Sequence, residues 1–302
     1  MFENPELLDE EDLELEQYEQ YNNFKLPKDY LSYSQISLYH FCGEKYRRKY
    51  VLGKRRPASS NMAQGRMVHH IVEEMLLYKR DKQEIPPVEF HEDLLAEEID
   101  EFFEDVETWD EKVPDKQNAR ETSSELLKIY RNQRLPDARV RDTELKIQTT
   151  FRDKIPFVGY IDLVEKGSEE ENTVSDDPLF DPYEIQPTDR VRDLKVTGRT
   201  YPKGRVENSL QLTLYSEILD VEDVGFDLLV QTKKPKFVAH RAERSSGDKE
   251  HALDVVEDTA EAISAGVFPR TDPDHWMCSK KWCPFWDDCR GKYLSTPNND
   301  EE

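Results

Sequence analysis

Apolar residues in this chain keep two different rhythms, and the change from one to the other divides it. In "NMAQGRMVHHIVEEMLLY", from Asn61 to about Tyr78, they recur at i, i+3/i+4 and i+7, which predicts a helix with a wide apolar face. Upstream, in "YSQISLYHFCGEKYRRKYVLGKRR", Ile36, Tyr39 and Tyr46 share helical spacing, and Ser34 is the predicted N-cap. Stretches around 92–106 and 115–133 also read as helices, but highly charged ones, and predict a helical lobe over about 85–135. The period then drops to two. "TELKIQTTF", "PFVGYIDLVE" and "VRDLKV" predict three strands; "VENSLQLTLYSEIL" predicts a helix, "VGFDLLVQT" and "KFVAHRAE" further strands, and roughly 249–265 a last helix. This order predicts an α/β (α+β) fold, a small central mixed sheet flanked by helices, in one domain over 29–292. Three acidic segments fall outside the pattern: a lead-in over 1–28, an insertion over about 167–190 that carries Pro178, Pro182 and Pro187, and a tail over 293–302.

Composition narrows the function classes. Over 302 residues, 36% are hydrophobic and 35% charged, with a net charge of -23. Such an acid excess, which also resembles salt-adapted proteins, argues against a polyanion binder that works through overall charge, although a local basic groove stays open. No apolar run approaches the ~18–20 residues that cross a membrane. The acidic start lacks the basic and apolar regions of a signal peptide, so a cytoplasmic protein is expected. Structural disulfides are rare there, which leaves the four cysteines to be explained otherwise.

The strands carry the chemistry. Side chains alternate along a strand, so Asp193 and Lys195 of "VRDLKV" share one face. An exposed ion pair explains that much, at roughly 0–1 kcal/mol. Asp162, however, sits in the preceding strand, and a pairing of the two strands brings two carboxylates together. They repel unless a cation lies between them, and a divalent metal supplies it. His69 faces the sheet from the helix that also carries Gly65, Val68, Val72 and Leu76, and its ring nitrogen can complete the ligand set. Glu144, on the first strand, offers a further carboxylate behind the ligands or an extra ligand to the metal, although an exposed strand position is the favoured reading.

"GRMVHH", "GYIDLV", "DLKV" and "QLTLY", in that order, resemble the motifs of the RecB-type branch of the PD-(D/E)XK nuclease superfamily, and the resemblance runs over about 31–292. Ile161 stands where the superfamily's nominal proline would precede Asp162, which is usual in this branch; the long acidic insertion is less usual. The resemblance implies a restriction-endonuclease-like core and a DNA nuclease, an exonuclease on DNA ends or single strands in repair or recombination, with a helicase or recombination partner by analogy. It further implies that His69, Asp162, Asp193 and the Leu194 carbonyl hold Mg²⁺ or Mn²⁺, hard cations that oxygen ligands suit. Lys195 would then act on the attacking water or the developing charge, while Gln211 and Tyr215 contact the DNA backbone or brace the site. The rival is a non-catalytic DNA-binding or scaffolding module of the same fold.

Cys278, Cys283 and Cys289 crowd into "CSKKWCPFWDDCRGK", with Cys42 far upstream. Thiolates so spaced point to a soft-metal site, zinc or an iron–sulfur cluster, and the chemistry alone does not choose. The resemblance favours a 4Fe–4S cluster, as in the AddB-type and CRISPR-associated adaptation nucleases, although those have two residues between the first pair of the trio and this chain has four. Beside Cys42, "KYRRKYVLGKRR" offers Arg47, Arg48, Lys49, Arg55 and Arg56 to DNA phosphates, with Tyr46 and Tyr50 as rings on which bases stack. "KKPK" and "RTYPKGR" add further positive charge.

Overall fold

The computed structural model describes residues 24–55, 58–167 and 185–294. In chain order its main elements are helix α1 (Tyr33–Phe41), α2 (Ser60–Lys82), α3 (Val88–Phe102) and α4 (Lys116–Gln133), strands β1 (Val140–Phe151), β2 (Ile155–Glu165) and β3 (Arg190–Thr197), helix α5 (Leu210–Leu219), strands β4 (Asp223–Val230) and β5 (Lys236–Glu243), and helix α6 (Ser246–Ser264). The strands form one five-stranded sheet in the order β1-β2-β3-β4-β5. β2 and β3 pair antiparallel, β3 and β4 parallel across α5, and β4 and β5 antiparallel. The mixed sheet flanked by helices is the fold class expected from the sequence. The predicted lead-in up to residue 23, most of the acidic insertion (168–184) and the tail from 295 lie outside the described residues, as does Arg56.

The chain divides into two compact units, one with residues 24–55, 148–159 and 253–294, the other with 58–147, 160–167 and 185–252 of the described chain. In the first, α1 begins two residues earlier than its sequence suggests. Ser32, not Ser34, is the N-cap: its backbone is extended and its hydroxyl accepts from the Gln35 N–H at 3.4 Å. The helix then stops at Cys42, whose backbone is also extended. Gly43 follows because there is no room for a side chain: a Cβ there would lie 2.6 Å from Pro269 Cδ. β1 turns into β2 through Arg152 and Asp153, both left-handed (φ 49° and 55°). That is the backbone of a two-residue turn whose twist matches its strands, made here without the usual Asn-Gly. Arg152 and Lys154 both pair with Glu257 of α6.

In the second unit the apolar stripe of α2 is the spine. Met67, Val68, Ile71, Met75 and Leu76 are buried against Leu95 of α3, Leu126, Leu127 and Tyr130 of α4, and Leu163, Leu194 and Leu229 of the sheet. Truncating a leucine, isoleucine or methionine of this set to alanine costs about 2–5 kcal/mol. α4 starts on Asp115, which accepts from the Asn118 N–H at 2.7 Å. Just past its end, Arg134 reaches two strands at once, Glu165 of β2 at 2.8 Å and Asp227 of β4 at 2.5 Å. Glu165 also meets Arg192 of β3 at 3.1 Å, Arg192 meets Asp223 at 2.7 Å, and Arg241 of β5 meets Asp227 at 2.7 Å. These pairs tie four adjacent strands across the sheet, and most of their charged groups are buried.

Candidate active site

The antiparallel pairing of β2 and β3 covers Glu165 to Leu163 opposite Arg190 to Arg192. Where that pairing ends, the Leu194 N–H donates instead to the Asp162 carboxylate, Oδ2 at 2.7 Å. Asp162 is thereby fixed by the backbone of the neighbouring strand. The same Oδ2 lies 3.6 Å from Nδ1 of His69, and the His69 ring also meets the backbone of Leu194. Asp193 is 1% exposed and its Oδ1 has no hydrogen-bond partner, while its Oδ2 lies 2.6 Å from the Lys195 ammonium. The predicted shared face of Asp193 and Lys195 is thus present as a close ion pair.

His69, Glu144 and Asp162 bring one ligand atom each within 4.8 Å of the others. The sequence offered Glu144 only as an extra ligand, with exposure favoured, and put Asp193 in that company. In the structure Glu144 is half-buried and takes the third place, with Asp193 turned to Lys195. The reason lies in the backbone: Glu144 sits within β1 with φ 45°, a left-handed conformation that non-glycine residues rarely adopt and that re-aims a strand side chain.

The electrostatics agree with a site short of positive charge. Burial pushes the Asp162 carboxyl up to about 6, although Lys195 and the Leu194 N–H pull it down. Burial likewise lifts Asp193 to about 6, against Lys195 and with the help of the Asp162 charge. Burial, then the charges of Asp162, Glu73 and Asp193, carries Glu144 to about 7. Burial and the Lys195 ammonium push the His69 imidazole down to about 4, so the ring is neutral and free to ligate at pH 7. Burial opposes charge on Lys195, yet Asp193 and Asp162 hold it above the usual lysine range. An orphaned buried carboxylate oxygen, three acids lifted toward neutrality and a neutral imidazole fit a hard divalent cation well.

Gln211 and Tyr215 bond to each other, Nε2 to the phenol oxygen at 3.4 Å. Tyr215 is buried, and burial raises its phenol to about 12 with Asp193 and Asp162 adding to the rise, so it stays neutral. Its burial suits bracing the site better than touching DNA.

All four cysteines line one cavity of about 490 Å³ in the first unit. No three of their sulfurs lie within 4.8 Å of one another, whereas a zinc tetrahedron sets them about 3.8 Å apart. Burial raises the Cys283 thiol, to which Cys42 and Cys289 contribute. The basic strip is less accessible than its composition suggests. Arg48 is 8% exposed, held by Glu44 at 2.7 Å and by the Asp288 carbonyl at 3.1 Å, so it does not belong to a DNA-facing surface. Tyr46 is fully buried, its hydroxyl donating to Gln35, and offers no ring to a base. Arg48 lies in a π-helical turn over Arg47–Val51, while Tyr46 precedes that turn and is buried like Ile36 and Tyr39, whose helical spacing it shares. Arg47 pairs with Glu44 at 3.6 Å, and Lys49 and Arg55 are exposed.

A helix and two strands that deliver an imidazole and carboxylates to one point beside a lysine make a donor set for a divalent cation in a mixed α/β fold. The chain belongs to the PD-(D/E)XK nuclease superfamily, whose family model matches residues 30–176 and 184–290. Membership implies phosphodiester hydrolysis and DNA as substrate. Among solved structures, the chain is similar to a "putative exonuclease" from Eubacterium rectale, with 13% identity, TM-score 0.49, and 90% of this chain and 92% of that one covered. It is also similar to SSO0001, with 11% identity, TM-score 0.33, and coverage of 85% and 94%. No curated protein sequence matches the chain. No helix among the described residues is long and apolar enough to cross a membrane.

Proposed function

We propose that the protein is a Mg²⁺- or Mn²⁺-dependent deoxyribonuclease, an exonuclease that works on DNA ends or single strands in cytoplasmic DNA repair or recombination. The observation that carries this reading is the meeting of His69, Glu144 and Asp162 next to the Asp193–Lys195 pair. His69, Asp162 and Asp193, with Glu144 and the Leu194 carbonyl, would hold the cation, which when bound acidifies water and neutralises phosphate charge. Lys195, already anchored by Asp193, offers its ammonium to the phosphoryl oxygens as negative charge builds on them. Tyr215 and Gln211 keep Lys195 and Asp193 in place. Products with a 5′-phosphate and a 3′-hydroxyl follow from the family.

The four cysteines serve in this reading as ligands of a structural 4Fe–4S cluster. Their convergence on one cavity supports a shared metal centre, and the family resemblance favours the cluster over zinc. By family analogy a helicase or recombination factor is the partner. The decisive experiment is anaerobic purification with an absorbance scan, followed by digestion of end-labelled DNA with Mg²⁺ or Mn²⁺. The wild type cuts, while Asp193→Ala and Lys195→Ala fold and do not. Full cutting by either variant overturns the site assignment, and binding without cutting by the wild type favours the non-catalytic rival.

A further inference from the structure

Next to the cation-binding side chains, the second unit has an open cavity of about 750 Å³, within the range of small-ligand sites. One wall is a stripe of α2 at helical spacing: Met62, Gly65, Arg66, His69 and Glu73. Across from it stands Tyr160, two residues before Asp162 on β2 and so on the same strand face. Three features of this cavity have no role in building the fold. Tyr160 is 51% exposed and its side chain has no hydrogen-bond or ring partner among the described residues. The Arg66 guanidinium is exposed and also unpartnered, in a chain whose acids outnumber its bases and most of whose other arginines in this unit are paired. At Gly65 a Cβ would meet nothing within 4 Å, so the helix leaves room there.

We propose that this cavity is the subsite for an unpaired nucleotide next to the scissile phosphate: Tyr160 stacks on its base and Arg66 holds the neighbouring phosphate. This inference deepens the nuclease reading and rests on it. A guanidinium without a counter-ion beside a cation site is complementary to successive phosphates. An exposed ring two residues from a ligating carboxylate is complementary to a base face. Only an unpaired base has that face free, since in a duplex the neighbouring pairs cover it. The substrate class is therefore a single strand or a frayed end, not an intact duplex recognised by its backbone.

Binding in EDTA separates this from cutting. The probes are a fluorescein-labelled twelve-residue dT strand, an abasic strand of the same length and a blunt duplex, read by anisotropy. Tyr160→Ala should weaken binding of the dT strand by roughly 5- to 150-fold, leave the abasic strand unchanged, and be rescued by Tyr160→Phe. Arg66→Gln should weaken both single strands and lower the salt slope by about 0.7, the value for one phosphate on a single strand. Gly65→Leu should block the dT strand while melting no lower than the wild type, since glycine is the poorer helix former. Equal losses on dT and abasic strands, or blunt-duplex binding as tight as the dT strand and indifferent to Tyr160, overturn the proposal. If the wild type cuts DNA but Tyr160→Ala keeps its affinity for dT, the subsite is wrong and the nuclease reading stands. Tyr160-dependent dT binding by a wild type that cuts nothing with either metal refutes the nuclease, and with it a subsite next to a scissile phosphate.

Discussion

Replacing Glu144 with glutamine asks whether the acid cluster serves a cation at the expense of stability. Without metal, burial and the charges of Asp162, Glu73 and Asp193 raise this carboxyl from 4.5 to about 7. At about 1.4 kcal/mol per tenfold change, keeping it ionised at pH 8 costs the fold about 3 kcal/mol, and about 2 after discounting for its partial contact with water. The sign follows from linkage. The folded pKa lies above the unfolded one, so the folded state is favoured below 4.5 and loses that advantage as pH rises through 7. Glutamine does not ionise. In EDTA at pH 8 the variant Glu144→Gln should therefore be the more stable protein by about 2 kcal/mol, or roughly 4–8 °C in melting temperature. At pH 6 that margin should shrink by about 1 kcal/mol. Manganese should reverse the order, because a ligand at a thousand times its dissociation constant adds about 4 kcal/mol to a protein that binds it fully and less to one lacking a ligand. Thermal melts with and without Mn²⁺ at both pH values provide the test. A variant that melts at or below the wild type in EDTA, or gains as much from Mn²⁺, refutes the reasoning.

Other perturbations probe the parts around the site. Cys289→Ser should lower the melting temperature and remove the iron chromophore of anaerobically purified protein; a soluble variant with unchanged melting and activity contradicts the cluster. His91 is fully buried with neither ring nitrogen hydrogen-bonded, and burial lowers its pKa, so the fold requires it neutral and loses that stability as pH falls below 6.5. His91→Leu should raise urea stability at pH 7 by about 1 kcal/mol and flatten its dependence on pH between 5.5 and 7.5. Glu165→Gln removes the charge that Arg134 and Arg192 share and should cost about 3–5 kcal/mol by chemical denaturation.

Asp162, Asp193 and Lys195 were legible because strand periodicity alone assigns faces, and the backbone keeps that rule at these positions. His69 was legible for the matching helical reason. Glu144 was legible only as an extra candidate, since its place depends on one left-handed residue inside a strand, which no residue pattern around "TELKI" announces. Arg48 was misjudged because it falls in a segment of π rather than α geometry, and Tyr46 because its spacing with Ile36 and Tyr39, which marks a buried face, was overridden by its place among basic residues. The Arg134 network was invisible for another reason. Each member reads singly as a solvated charge, and only the sheet order brings Glu165, Arg192 and Asp227 within reach of one another.

That network gives the molecule an uneven response to ionic strength. Ions in solution weaken attraction between exposed groups over a Debye length of about 8 Å near physiological salt, but reach sequestered pairs far less. Arg134, Glu165, Arg192 and Asp227 belong to the sequestered kind. Brine should therefore loosen the hold on a phosphate chain long before it disturbs the alignment of the strands that carry Asp162 and Asp193. Adding salt to a running digest should release substrate from an intact catalyst, and diluting the salt should restore turnover without any refolding step.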